Sequence, residues 1–250
     1  MNISESESRF DISRVKVIAF DLDGTLTQHR THLAEPNISV LRTLRERYTL
    51  LMVGAGKAAR IFNQMDGFPI DIIGNYGMQF CRYNAETGSL DDVFDEHVAC
   101  DRESVARRIE ELRTRFGYTQ YKGESVEFHD SGCVTFPLIG TKADIADKLA
   151  FDPDRSKRRP MYPVVKEMFP EYTVFVGGSS SFDMVPYPYN KYYALDRYCR
   201  DAGFTHDEVV YVGDDYSSGG NDESVYVSDF AFVCVDDYTR LSEYLQPILG

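Results

Sequence analysis

A mostly apolar run, residues 15–20, stops at Asp21-Leu22-Asp23-Gly24-Thr25-Leu26-Thr27. No other stretch of the chain restricts the fold as tightly. Such a run reads as a strand buried in a sheet that is covered on both faces. Alternate residues of a strand share a face, so Asp21 and Asp23 point the same way off its C-terminal end. Gly24 permits a tight turn there, and Thr25 adds a hydroxyl. Two carboxylates so close repel each other unless a cation or a shared proton compensates them. A hard cation such as Mg²⁺ suits carboxylate oxygens. One carboxylate can then attack phosphorus while the other manages the leaving group's proton. An Asp-Gly surface turn would account for the pair taken alone. The preceding strand and a second acidic strand end, Gly213-Asp214-Asp215, argue for chemistry instead.

The rest of the chain supplies the frame for a strand of that kind. From Pro36 a helical pattern carries Ile38, Leu41, Leu44 and Tyr48, and a short buried strand follows at 50–53. Strand, helix and strand in that order predict a right-handed parallel unit. The turn Gly54-Ala55-Gly56 then leads into a helix through Met65. It is no nucleotide P-loop, because Leu51 stands at the first glycine position and Ala58 replaces the hydroxyl residue. Backbone N–H groups of Gly54, Ala55 and Gly56 at a helix start still offer a phosphate cradle.

From Gln79 to Pro188 the composition changes to short alternating segments, polar turns and interspersed helices. That mixture predicts an α+β unit with an antiparallel sheet. Its strands fall at 125–129, 133–138, 172–176 and 180–185, and its helices at 105–116, 142–149 and 164–169. The basic run 155–159 reads as a solvated loop or helix start. A helix from Lys191, a buried strand at 208–212, Asn221-Asp222, a strand at 231–235 and a helix on Leu241, Leu245 and Ile248 restore the first pattern. The fold class is therefore α/β. A Rossmann-like parallel-sheet core spans 1–83 and 189–250, and an inserted α+β cap domain spans 84–188. In open sheets of this class ligands bind beyond the carboxyl ends of the strands. Asp21, Asp23, the Gly54–Gly56 turn, Lys191, Asp214, Asn221 and Asp222 all fall there.

A net charge of −13 opposes nucleic acid and anionic membranes as partners and points to a small phosphorylated substrate met by local positive groups or a metal. Five scattered cysteines without a C-x-x-C pair argue against a disulfide framework or structural zinc. They favour a reducing, cytoplasmic compartment, as does a polar, acidic N-terminus that is no signal peptide.

The order D-x-D-G-T, small-residue turn, Lys, then G-D-D…G-G-N-D resembles the haloacid dehalogenase superfamily of phosphohydrolases and phosphomutases. The size of the insertion resembles its large α+β cap class. Asp21–Thr27 with Arg30, Gly177-Gly178-Ser179-Ser180-Ser181-Phe182-Asp183 and Gly219-Gly220-Asn221-Asp222 are most similar to the eukaryotic-type phosphomannomutases. The resemblance implies that Asp21 is the nucleophile and Asp23 the general acid/base. Mg²⁺ would be held by the Asp21 carboxylate, the Asp23 backbone carbonyl and Asp214, with Asn221 and Asp222 orienting that site. Thr25 and Lys191 would contact phosphate, and Arg30, Ser181 and Asp183 would meet the sugar phosphate. It also allows a homodimer through the cap.

Two departures bear on activity. The turn at Val53-Gly54-Ala55-Gly56-Lys57 lacks the serine or threonine hydroxyl usual in such a motif. Lys122, His129 and Thr141 stand where the mutase cap carries phosphate-gripping arginines. Weaker grips favour a phosphatase, which needs one phosphate site and water, over a mutase that must hold a bisphosphate in two orientations. The first expectation is therefore a Mg²⁺-dependent phosphatase of a phosphorylated sugar or similar metabolite. A phosphomannomutase-like mutase is the second, and a non-catalytic sugar-phosphate-binding regulator the third.

Overall fold

The computed structural model describes residues 11–29 and 31–250, so Arg30, expected at the sugar phosphate, lies outside the described residues. The strands are β1 (Val17–Phe20), β2 (Thr49–Val53), β3 (Asp71–Gly74), β4 (Gln79–Asn84), β5 (Ser89–Asp95), β6 (Glu127–Phe128), β7 (Val134–Pro137), β8 (Tyr172–Phe175), β9 (Ser181–Pro186), β10 (Val209–Gly213) and β11 (Ala231–Cys234). The helices are α1 (Glu35–Arg45), α2 (Ala58–Gln64), α3 (Arg102–Phe116), α4 (Ile145–Phe151), α5 (Tyr162–Met168), α6 (Lys191–Ala202), α7 (Glu223–Tyr226), α8 (Leu241–Tyr244) and α9 (Gln246–Leu249). They divide into two compact units. One holds the chain up to Asp95, Lys191–Ser217 and Asp222–Gly250, and the other holds Glu96–Asn190 and Ser218–Asn221.

The first unit is built on a seven-stranded sheet in the order β11-β10-β1-β2-β3-β4-β5. The first five of these strands run parallel, while β4 and β5 form an antiparallel extension. Every residue of β1 is buried, which is why its sequence is apolar without alternation. Ile18 and Phe20 enter one apolar layer with Leu41 and Leu44 of α1, Ala58 and Ile61 of α2, and Leu241 and Ile248 of the C-terminal turns. Val17 and Ala19 enter the opposite layer with Ala194, Leu195 and Cys199 of α6 and Val225 of α7. This is the doubly covered parallel sheet expected of a Rossmann-like core. The register sets Phe20 beside Met52 on one side and Val212 on the other. The chain leaves β1 toward β2 on one side and returns through β10 on the other. Residues following β1 and β10 therefore emerge side by side at the switch point of the sheet.

The second unit is an antiparallel sheet, β6-β7-β9-β8, with α3 and α5 contributing to its apolar layer. Val105, Ile109 and Leu112 of α3 and Val165 of α5 are buried there with Phe136 and Phe182. The Asp101 carboxylate caps the start of α3 by accepting from the Ser104 N–H at 3.0 Å, and Gly117 ends the helix at φ +78°.

Several expected boundaries move. The insertion begins at Glu96 rather than 84, because β5 pairs along β4 in the core sheet. The hairpin turn at 84–89 thus lies within the first unit and is not a joint. Ser218–Asn221, expected with the core, groups with the second unit, where the Gly219 carbonyl accepts from the Val176 N–H at 2.8 Å. The strand expected at 125–129 is only two residues long, and the last helix is two short turns. The basic run is not uniformly solvated, because Arg158 is fully buried. Its guanidinium pairs with buried Asp152 at 2.7 Å and donates to the carbonyls of Gly177 and Ser181 at 2.6 and 2.9 Å. The loop between β8 and β9 is therefore held by a charged staple that composition does not reveal.

Candidate active site

Asp21 follows β1 directly, and its N–H continues the ladder by donating to the Val212 carbonyl at 2.9 Å. The chain then turns back on itself. Gly24 donates to the Thr27 carbonyl at 2.8 Å, and Leu26 donates to the Leu22 carbonyl at 2.9 Å. The turn requires glycine at 24, where φ is +100° and a Cβ would stand 2.3 Å from Asp214 Oδ2. A missing side chain thus lets the loop after β1 close on the carboxylate after β10. Thr25 completes that contact by donating its hydroxyl to Asp214 Oδ1 at 3.0 Å.

Lys191, the first residue of α6, is fully buried, and its Nζ lies 2.6 Å from Asp21 Oδ1 and 2.7 Å from Asp222 Oδ1. Asp222 Oδ1 also accepts from the Tyr211 hydroxyl at 2.7 Å, and its Oδ2 accepts from the Asp215 N–H at 2.9 Å. Both Asp222 oxygens are therefore committed to shaping the site. Asp23 lies at the rim. Its Oδ1 accepts from Gln64 Nε2 at 2.7 Å, and its Oδ2 stands 3.6 Å from Arg60 and 4.0 Å from His29.

Charge is unbalanced at the centre. Carboxylate oxygens of Asp21, Asp214 and Asp222 lie within 4.8 Å of one another, and the buried Lys191 is the cation among them. Burial pushes the Asp21 carboxyl up to about 7 against the pull of Lys191, with Asp222 and Asp23 adding repulsion. Burial, with the charges of Asp21 and Asp222, pushes Asp214 up to about 8. The same two carboxylates that face Lys191 hold its ammonium protonated well above the ordinary lysine range, despite its burial. The donor set is all hard oxygen with an excess of negative charge, which is the chemistry that a small divalent cation compensates. Asp21 and Asp214 are the carboxylates left to ligate it, since Asp222 is spoken for.

Asp21, Asp23, Thr25, Lys191, Asp214 and Asp222, each expected from sequence, thus meet within one unit. The Gly54-Ala55-Gly56 turn follows β2 as expected, but the cradle is smaller than expected. The Gly54 N–H is committed to the Ile73 carbonyl at 2.9 Å, and the Ala58 N–H to Gln79 Oε1 at 2.8 Å. Ser181 and Asp183 lie two apart on β9 of the second unit. The Ser181 hydroxyl donates to the Gly177 carbonyl at 3.2 Å, and Asp183 Oδ1 lies 3.4 Å from the Thr135 hydroxyl. Asn221 groups with the second unit although its neighbour Asp222 belongs to the first. Sequence reasoning passed over Tyr211, Arg60 and Gln64. Tyr211 resembles any aromatic in a buried strand. Arg60 and Gln64 carry a readable signal, two polar residues four apart on a helix that opens at the same sheet edge.

Residues 38–237 of the 250 match the family model described as eukaryotic phosphomannomutase. The phosphomannomutase of Schizosaccharomyces pombe is 25% identical over 226 residues, covering 84% of this chain and 85% of that protein. The phosphomannomutase of Saccharomyces cerevisiae is 26% identical over 226 residues, covering 85% of each. Among solved structures, an N-terminally truncated IMP-nucleotidase of Plasmodium falciparum superposes with a TM-score of 0.67 at 16% identity, over 95% of this chain and 71% of that one. A haloacid dehalogenase-like hydrolase from B. subtilis superposes at 0.62 with 15% identity, over 93% of this chain and 99% of that one. At such identities the structural matches speak to the fold alone, and the sequence match speaks to descent. The carboxylate pair after β1, the lysine opening α6 and the acidic end of β10 stand on a chain that belongs to the eukaryotic phosphomannomutase family.

Proposed function

We propose that this protein transfers phosphoryl groups of a sugar phosphate through Asp21, with Mg²⁺ held by the Asp21 and Asp214 carboxylates and the Asp23 backbone carbonyl. The observation that carries the reading is the buried Lys191 bridging Asp21 and Asp222 beside Asp214. A buried lysine that merely stabilised the fold would not need three carboxylates around it. When bound, the Mg²⁺ would offset charge on the phosphoryl oxygens and on the two carboxylates. Lys191 holds one Asp21 oxygen, which leaves the other as the attacking atom. The bond from phosphorus to the leaving alcohol breaks as the bond to Asp21 forms, and Asp23 supplies the alcohol's proton. Asp23 then accepts a proton from the incoming hydroxyl that discharges Asp21.

What discharges Asp21 separates a mutase from a phosphatase. The names of the relatives support return of the phosphoryl group to the sugar, a hexose phosphate mutase of the phosphomannomutase type. That reading now stands ahead of the phosphatase that the sequence favoured. Hydrolysis keeps one specific observation on its side, at the three positions where arginines were expected. Lys122 is paired with Asp144 and Asp147 at 2.8 and 3.1 Å. The His129 ring bonds to the Thr135 hydroxyl, and the Thr141 hydroxyl accepts from the Glu124 N–H. Purified protein with Mg²⁺ should convert a hexose 1-phosphate to its 6-phosphate in the presence of a hexose bisphosphate. Stoichiometric phosphate release from a monophosphate, with no isomer formed, would make it a phosphatase. Sugar-phosphate binding without either product would leave a regulator.

The expected partner remains a small phosphorylated molecule, and assembly through the second unit remains an expectation from the family. The reducing, cytoplasmic setting remains an expectation, and among the described residues no helix is long and apolar enough to cross a membrane.

A further inference from the structure

We infer that Gln64 and Arg60 of α2 are positioning residues that fix the orientation of the Asp23 carboxylate for proton transfer to the leaving group. The inference rests on the reading of Asp21 as nucleophile and Asp23 as general acid.

Gln64 is buried, and its side-chain amide has three neighbours. Arg60 donates to Oε1 at 2.9 Å, and Nε2 donates to Asp23 Oδ1 at 2.7 Å and to the Thr27 hydroxyl at 3.2 Å. The two ends of such an amide are alike in shape, and its partners decide which is which. Arginine can only donate, so the oxygen of Gln64 must face Arg60. The NH2 group must then face Asp23. Arg60 thereby sets the polarity of an amide that in turn sets the rotation of the Asp23 carboxylate.

A carboxylate oxygen has two lone pairs, so the Gln64 bond fixes the rotation of the carboxylate rather than the oxygen that is protonated. Arg60 also stands 3.6 Å from Asp23 Oδ2, so α2 faces both oxygens of the carboxylate. Local backbone makes room for this arrangement. A Cβ at Gly56 would stand 2.2 Å from the Arg60 guanidinium, so a side chain there would displace the arginine from this position. Thr27, which takes the second Gln64 N–H, lies in the same closed loop as Asp23. The clamp thus ties α2 to the loop after β1.

The test separates positioning of a proton donor from general damage by changing the leaving group. A sugar alkoxide needs a proton to depart, whereas 4-nitrophenolate does not. kcat/KM, which reports on steps up to departure, should be compared for a sugar phosphate and 4-nitrophenyl phosphate in wild type, Gln64→Met and Arg60→Met. Misplacing a reacting group by about 1 Å costs on the order of 10²-fold. Gln64→Met should therefore lose about that factor on the sugar phosphate and less than ~3-fold on the aryl ester. Arg60→Met, a change at a half-exposed side chain that leaves the core intact, should show the same selectivity at smaller size. Equal losses on both substrates, or no loss on the sugar phosphate, would overturn the inference while leaving phosphoryl transfer standing. If wild type transfers from neither substrate and behaves as Asp21→Asn does, the reading of Asp21 fails and the inference falls with it.

Discussion

At the scale of single residues the site is governed by Lys191. It is the one cation buried among Asp21, Asp214 and Asp222 in the described residues, and it opens α6 rather than ending it. Removing one member of a buried ion pair costs about 3–5 kcal/mol, because the partner is left uncompensated. Lys191→Met should therefore lose about that much in urea denaturation at neutral pH, besides losing phosphoryl transfer. The opposite sign is expected for Asp21→Asn. A carboxyl whose folded pKa is raised to about 7 is charged at a cost above that pH. The metal-free variant should melt several degrees higher than wild type at pH 8, with the gap closing toward pH 5, while transferring no phosphoryl group. Most of this was legible in the sequence, because a strand that ends in D-x-D-G-T leaves its carboxylates few directions. What was not legible is the role of residues whose type is common in other settings. The Tyr211 hydroxyl meets Asp222 at the centre and the Gln64 amide meets Asp23 at the rim, and a buried tyrosine or helical glutamine carries no such mark in a sequence.

At the scale of elements, a glycine of the first motif and a buried arginine outside any motif fix two loops. Gly24 closes the loop after β1 against Asp214. Gly24→Ala would put a Cβ into that carboxylate at a positive φ, a backbone strain of roughly 1–3 kcal/mol before the clash is counted. It should lower stability by at least that and weaken Mg²⁺ binding, as isothermal titration of the variant would read. In the second unit, Arg158→Met should leave Asp152 buried and unpaired and free the loop from Gly177 to Ser181. Faster hydrogen exchange confined to that loop, together with a loss of about 3–5 kcal/mol, is the expected outcome. Element types were readable from periodicity, but element membership was not. The strand at 89–95 and the loop at 218–221 changed units because pairing across the chain, β5 on β4 and Val176 on Gly219, decides membership. Arg158 misled for a related reason. A run of basic residues suggests solvent, and only the fold shows that one of them has a carboxylate and carbonyls to satisfy it.

At the scale of the molecule, pH and metal act on the same cluster. Burial and mutual repulsion push the Asp21 and Asp214 carboxyls up from the ordinary 3.8 to about 7 and about 8. Between those limits the folded chain binds more protons than the unfolded one, so stability falls as pH rises. The metal-free protein should therefore lose stability from about pH 4 to about pH 8 through these two groups, which titrate as a coupled pair. Mg²⁺ should restore it by binding the folded state, raising the melting temperature more at pH 8 than at pH 5. A flat response to Mg²⁺ across that range would remove the cation from the account. The fate of the phosphoryl group was the least readable property, because it depends on whether water or a sugar hydroxyl discharges Asp21, and no motif of the chain marks that choice.

The central claim is that the phosphoryl group rests on Asp21. The most direct measurement is acid-quenched peptide mapping by mass spectrometry after the protein meets Mg²⁺ and a hexose bisphosphate. A phosphoryl group on the peptide that contains Asp21, labile to hydroxylamine and absent in Asp21→Asn, is the result predicted here. Turnover of the sugar phosphate with no phosphoryl-enzyme, or with the phosphoryl group on another residue, would contradict the account.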